Sequence, residues 1–180
     1  MINVAMLSKW HVHAEGYARE INDSGKAKVV AVWDEEESRG SEWAGRLGAD
    51  FVADLDAILA RADIDAVVCC TPTTAHHDVL IKAAKAGKHI FTEKALCPTV
   101  AECEDVKAAV LESGKTFTIS YPMRGTPTVQ FAKKMIEAGA FGKISVVRIR
   151  NGHNGVSGHW LPDYWFEKKD AAGGAMMDLG

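Results

Sequence analysis

The sequence predicts an α/β protein: a doubly wound, mainly parallel sheet over residues 1–120, then the opening of a smaller α+β domain over residues 121–180. Three observations carry this reading. Five short runs in the first 120 residues are apolar on both faces, as strands covered by helices on each side are. Most of the gaps between them hold apolar residues at three- and four-residue spacing and close near a glycine, the signature of helices that return the chain to a parallel sheet. After Tyr121-Pro122 the pattern changes to a single amphipathic strand and an aromatic, irregular stretch.

In order, Ile2 to Leu7 opens the sheet and Ala14 to Asn22 forms the first helix, closed near Gly25. Lys28 to Trp33 is a strand, and Glu36 to Leu47 is a helix that ends at Gly48. Ala66 to Cys70 is a strand, followed by a helix from Thr74 to Ala86 ending at Gly87. His89 to Glu93 is a strand, Val100 to Ser113 a helix closed by Gly114, and Thr116 to Ser120 the last strand of this domain. A helix from about Pro127 to Ala138 stops at Gly139, and Lys143 to Asn151 is expected as a long strand with apolar Ile144, Val146 and Ile149 alternating with basic residues. Gly152 to Asp170 carries Trp160, Tyr164, Trp165 and Phe166 with His153, Asn154 and His159, and reads as pocket lining rather than linker.

Composition narrows the function classes. With 47% hydrophobic and 25% charged residues, the chain has the balance of an ordinary globular protein. A formal net charge of −3 gives no basic footprint for nucleic acid or an anionic membrane, and the apolar runs are far too short to span a bilayer. The N-terminus lacks the basic leader of a signal peptide and runs straight into a core strand. Cys69, Cys70, Cys97 and Cys103 show no Cys-x-x-Cys spacing, and two adjacent cysteines in a buried strand suit a reduced, cytoplasmic protein.

The chemistry gathers where open α/β sheets bind ligands, at the C-terminal ends of the strands. Glu93 and Lys94 arrive there directly from a strand; the competing reading of the same two residues is a surface ion pair of little energetic worth. Asp34 stands at the end of the second strand, Thr71, Pro72, Thr73 and His76 follow the third, and Ser8-Lys-Trp-His-Val-His13 follows the first. His11 and His13 admit two further readings: polar loop residues, or the zinc-binding His-x-His pair of a metal-dependent hydrolase. The latter leaves Asp34 and the Gly87 to Lys94 block without a role, so no metal is assigned.

These segments resemble the glucose-fructose oxidoreductase, inositol dehydrogenase and rhizopine-catabolism family, abbreviated Gfo/Idh/MocA. The resemblance runs through Asp34, Cys70-Thr-Pro-Thr-Thr-Ala-His76, Ala86 to Lys94, Tyr121-Pro-Met-Arg124 and Gly173 to Gly180, in that order. It implies a Rossmann-type cofactor domain, a substrate and dimerisation domain begun after residue 120, and oxidoreduction of a hydroxyl or carbonyl on a sugar, polyol or related cyclic alcohol. No nucleic-acid or membrane partner is implied, and the full-length protein is expected to be a homo-oligomer.

Residue by residue, the resemblance makes Lys94 the lysine of the family's Glu-Lys-Pro motif, beside the nicotinamide and the substrate hydroxyl. Ala95 stands where the family has proline. Partial burial near a cationic ring would disfavour the charged lysine and fit it to proton transfer near neutral pH. Asp178 matches the aspartate of Asp-x-x-x-His, whose histidine would lie two positions past Gly180. The chain is therefore expected to be part of a longer enzyme and inactive alone.

The cofactor loop departs from the family, since Ser8, Trp10 and His13 stand at the three glycine positions of Gly-x-Gly-x-x-Gly. A helix N-terminus near Val12 can still take phosphate through its amides, with Ser8, Lys9 or His11 adding hydrogen bonds. Asp34 is placed to accept from the adenosine ribose, favouring NAD over NADP, or to cap the following helix; Arg39 leaves room for NADP. Thr71 and Thr73 are candidates for the nicotinamide ribose, with Pro72 bending the chain over it and His76 as the family's cofactor-side histidine. The alternative is a helix capped by Thr73 or Thr74 with His76 and His77 exposed. Arg124, His153 and Trp160 are candidate substrate residues, Arg124 alternatively bracing the domain hinge. A nucleotide-sensing protein that kept the fold and lost catalysis is the alternative function.

Overall fold

In β1 (Ile2–Leu7) the side chains divide strictly by parity: Val4 and Met6 enter one core, Ala5 and Leu7 the other. A strand buried on both faces needs a helical layer on each side, and the computed structural model, which describes residues 1–174 and Met177, supplies both. The described residues form one parallel six-stranded sheet in the order β3-β2-β1-β4-β5-β6. The other strands are β2 (Ala27–Trp33), β3 (Asp50–Phe51), β4 (Ala66–Cys69), β5 (His89–Thr92) and β6 (Phe117–Ile119).

On one face, α1 (Ala14–Asp23) and α2 (Glu37–Leu47) bury Ala14, Ala18, Trp43 and Ala44 against Val4, Met6, Val29 and Val32. On the other, α3 (Leu55–Ala60), α4 (His76–Lys85) and α5 (Val100–Ser113) bury Ile58, Leu80, Ala83 and Val106 against Leu7, Val67 and Ile90. Cys69 and Cys70 are consecutive, fully buried, and point into opposite layers. The helices are held at their ends by local chemistry. Asp54 accepts from the amides of Asp56 and Ala57, Thr99 and Glu102 form a reciprocal capping box, and Gly48 and Gly114 end α2 and α5 in the left-handed region.

β1 and β4 lie side by side while their connections run to opposite edges, which makes their C-terminal ends the topological switch point where this architecture takes ligands. An apolar groove of about 410 Å³ lies elsewhere, between α1 and the N-terminal halves of β4 and β5, and is lined by Val4, Tyr17, Ile21, Val68 and Phe91. No described helix is long and apolar enough to cross a membrane.

The sequence expectations need four corrections. β3 and α3 were not foreseen: β3 spans two residues, and α3 a turn and a half, too short for a periodic signal. The expected helix from Thr74 starts at His76, after a 3₁₀ turn over Thr73–Ala75. Residues 143–151 form no strand, because a strand exists through its ladder and no described strand lies beside them. The irregular stretch contains a 3₁₀ turn over Asp163–Phe166 and a one-turn helix α7 (Lys168–Ala171), while α6 (Pro127–Glu137) lies nearly where expected.

Candidate active site

Glu93 leaves the end of β5 with its side chain fully buried. Such a carboxylate is tolerated only where its lone pairs are filled, and here three hydrogen-bond donors and the nearby His11 ring surround it. His13 Nδ1 lies 2.7 Å from Oε1, and the Tyr17 hydroxyl donates to the same oxygen. Oε2 lies 3.4 Å from His11 Nε2 and accepts from the Lys94 amide at 3.1 Å. Tyr17 also bonds Ser120 at the end of β6, 2.8 Å away. One carboxylate thus ties together the loop after β1, helix α1, the lysine-bearing turn and the last strand. Burial pushes the Glu93 carboxyl up, but the His13 hydrogen bond, the neighbouring His11 ring and the Tyr17 hydroxyl outweigh it and hold it at about 2. The surface ion-pair reading of Glu93 and Lys94 is thereby corrected. Lys94 itself is half-buried, and the Lys94-Ala95 peptide is cis.

The loop before α1 is folded on itself. Ser8, wholly buried, takes a left-handed φ of 73°, a conformation glycine adopts without cost, and its Oγ accepts from the Trp10 amide. His11 donates its amide to the Cys70 carbonyl across the switch point. Trp10 turns inward rather than across the loop: its ring stacks on Trp165 at 4.7 Å, with Leu161 and Tyr164 around it. The Tyr164 hydroxyl donates to the Trp10 carbonyl at 3.0 Å, and Thr74 Oγ1 donates to the Lys169 carbonyl at 2.7 Å. Residues 161–171 therefore form a strap anchored on the loops after both β1 and β4. The Trp10 indole N–H is buried without an acceptor, an arrangement that costs about 1–3 kcal/mol.

Asp34 lies buried at the end of β2, and its four acceptor positions are likewise taken. Oδ2 accepts from the Lys9 amide at 2.8 Å and Arg39 Nε at 3.1 Å; Oδ1 accepts from the Glu36 amide at 2.8 Å and Arg39 Nη2 at 2.6 Å. Arg39 also reaches Glu35 and Glu36. The capping reading of Asp34 needs adjusting: α2 has Glu36 at its N-cap, and Asp34 serves the amide of that residue. Gly40 permits this packing, since a Cβ there would lie 2.5 Å from the Asp34 Cβ.

His76 is fully buried, against the reading that exposed it. Its Nδ1 faces the Ala95 and Leu96 carbonyls at 2.8 and 3.0 Å, and Nε2 faces the Thr71 carbonyl at 3.2 Å. Burial lowers its pKa, with the carbonyl contacts opposing. The ring pins the turn after Lys94 to the start of α4. His77 pairs with Asp78 and Asp105 on the surface. Thr71, Pro72 and Thr73 are buried at the end of β4, with Thr71 Oγ1 3.3 Å from Cys69 Sγ, while Val12 is partly exposed.

A family profile described as "Oxidoreductase family, NAD-binding Rossmann fold" matches residues 11–121, and one described as "GFO/IDH/MocA C-terminal domain" matches residues 129–180. The chain belongs to the Gfo/Idh/MocA oxidoreductase family. It is 32% identical over 174 residues to 2,7-anhydro-N-acetylneuraminate hydratase of Escherichia coli (strain K12), covering 97% of this chain and 45% of that protein. It is 35% identical over 136 residues to inositol 2-dehydrogenase of Rhizobium meliloti (strain 1021), covering 74% and 40%. Among solved structures, the WlbA dehydrogenase from Bordetella pertussis, in complex with NADH and UDP-GlcNAcA, superposes with a TM-score of 0.74 at 26% identity, covering 79% of this chain and 44% of that one. The chain spans under half the length of these curated relatives.

As a Gfo/Idh/MocA Rossmann domain the chain fits a nicotinamide dinucleotide. The strand order supplies the switch-point crevice, Ser8 supplies the left-handed turn, and the α1 N-terminus has no side-chain cap over its first amides. The unpaired Trp10 N–H adds a donor. A metal fits less well, although ligand atoms of His11, His13 and Glu93 lie within 4.8 Å of one another. His11 Nδ1 accepts the His13 amide, so in a neutral ring Nε2 carries the proton and has no lone pair for an ion.

Arg124, His153 and Trp160 are not brought to this edge by any described hydrogen bond, ion pair or ring contact. Arg124 is exposed in a 3₁₀ turn, and His153 and Trp160 contact each other at 4.9 Å. Asp178 lies outside the described residues. Sequence reasoning missed Tyr17, Ser120 and the strap contacts. The spacing of His13 and Tyr17, one helical turn apart, was the available signal for the first.

Proposed function

We propose that this chain is the cofactor-binding part of an enzyme that moves a hydride between a nicotinamide dinucleotide and a hydroxyl or carbonyl carbon of a sugar, polyol or related cyclic alcohol. The supporting observation is the placement of Lys94: it follows a carboxylate bonded on all sides and is braced behind by His76, at the sheet edge beside the switch point. Such bracing is what a positioned acid-base group requires. When bound, the dinucleotide supplies or accepts the hydride. In our reading Lys94 holds the substrate hydroxyl and exchanges its proton, and Asp178 keeps its assignment to the reaction. Thr71 and Thr73 border the nicotinamide ribose. Asp34 takes the adenosine ribose once Arg39 moves aside, and Arg124, His153 and Trp160 stay assigned to the substrate side.

The substrate class draws on the inositol dehydrogenase and the UDP-GlcNAcA-bound WlbA among the relatives. We place the protein in the cytoplasm on its four free thiols, and the whole protein as a homo-oligomer. The test is Lys94→Ala and Lys94→Met in the full-length enzyme, assayed on a panel of inositols and sugars. Turnover should fall at least about a hundredfold while NAD affinity changes little; a small loss would remove Lys94 from the chemistry. One feature favours a second reading, a nucleotide sensor: Asp34 and the β1–α1 loop are both closed by the chain's own groups. Tight dinucleotide binding with no turnover on any alcohol would select it.

A further inference from the structure

The loop that replaces the family's glycines has an unspent hydrogen-bond donor. Trp10 is only 5% exposed, and its Nε1 has no acceptor. Three of the other four indoles have an acceptor. Trp33 donates to the Ala53 carbonyl, Trp160 to Asn154, and Trp43, fully buried like Trp10, to Glu15 at 3.1 Å. A buried donor left unpaired opposes folding, and native structures seldom keep one without a use.

Its position says what would use it. Trp10 lies between β1 and α1 at the switch point, where the phosphates of a dinucleotide sit against the helix N-terminus. A glycine loop offers backbone amides to those phosphates, but here they are partly committed: the Trp10 amide to Ser8 Oγ, the His11 amide to Cys70, and the His13 amide to the His11 ring. Three amides of this loop are thus taken, and an indole N–H is left over.

We propose that Trp10 is a cofactor-binding residue whose indole N–H donates to a phosphate oxygen of the nicotinamide dinucleotide, a side-chain substitute for the glycine-loop amides. The proposal rests on reading the chain as a dinucleotide-binding domain. It requires the strap to give way, since Trp165 and Leu161 cover the ring and Tyr164 holds the Trp10 carbonyl. The bound phosphate then supplies the acceptor that the closed arrangement lacks.

The experiment uses the full-length protein with its tryptophans labelled with ¹⁵N. The Trp10 indole resonance, assigned by its loss in Trp10→Phe, is followed during titration with NAD, ADP-ribose and adenosine. NAD and ADP-ribose should move it downfield, and adenosine, which lacks phosphate, should leave it in place. Trp10→Phe removes the donor and keeps an aromatic ring against Trp165. Without ligand it should stay folded, yet bind NAD about tenfold more weakly by calorimetry. An indole resonance that ignores saturating NAD, or equal NAD affinity in Trp10→Phe, overturns the proposal and leaves the dinucleotide reading standing. A resonance that answers only to an added sugar or polyol also overturns it. Wild-type protein that binds neither NAD nor NADP removes the dinucleotide reading, and the proposal with it.

Discussion

Arg39 closes on Asp34 as a fork, with Nη2 2.6 Å from one carboxylate oxygen and Nε 3.1 Å from the other. With the amides of Lys9 and Glu36 on the same oxygens, Asp34 has no lone pair left for a ribose diol. On the proposed reading, cofactor binding through Asp34 competes with Arg39. The wild-type protein should bind NAD more tightly than NADP, and Arg39→Ala should raise NAD affinity by roughly threefold to tenfold, the worth of one hydrogen bond released. Calorimetric titration with both cofactors reads this directly. A selective loss of NADP affinity would instead make Arg39 a 2'-phosphate contact.

Glu93 gives a pH signature. Its carboxyl is held at about 2 against an ordinary 4.5, so the unfolded chain takes up its proton first as the pH falls. The stabilisation is complete above pH 4.5 and is lost as the pH drops toward 2; at about 1.4 kcal/mol per unit it amounts to roughly 3 kcal/mol. Urea unfolding of Glu93→Gln should show lower stability at pH 7 and a flatter acid limb than wild type. Parallel acid limbs would mean that Glu93 is not the carboxylate responsible.

His76 works in the opposite chemical sense but in the same pH direction. Burial favours its neutral form, so protonation of the unfolded state below about 6.5 draws stability away from the native protein. His76→Leu should remove that loss below pH 6.5 while costing about 1–3 kcal/mol at pH 8, because the carbonyl that accepts the one ring N–H loses its donor. Denaturation midpoints on the acid side and at pH 8 check both halves.

The sheet was legible because doubly covered strands write themselves as unbroken apolar runs, and β1, β2, β4 and β5 do so. Position along the chain likewise pointed to the ends of those strands, where Asp34, Thr71, Glu93 and Lys94 stand. What the residues do to one another was not legible. Whether Asp34 faces a ribose or an arginine depends on rotamers five residues apart, and Glu93 looked like a surface charge because its partners are about 80 residues upstream. Trp10 read only as a replaced glycine, since nothing local reveals that its ring finds Trp165. The expected strand at residues 143–151 failed for a related reason: alternation describes a face, and a ladder needs a neighbour.

Cys69 and Cys70 stand back to back at the middle of the sheet, one in each helical layer, with both thiols pushed up by burial. Because their side chains leave the backbone in opposite directions, no loosening of a single layer uncovers both. An alkylating reagent reaches one thiol when α4 and α5 peel back and the other when α1 and α2 do. The two adjacent sulfurs thus form a two-channel clock for the molecule's breathing, and the ratio of their labelling rates reports which half of the sandwich opens first.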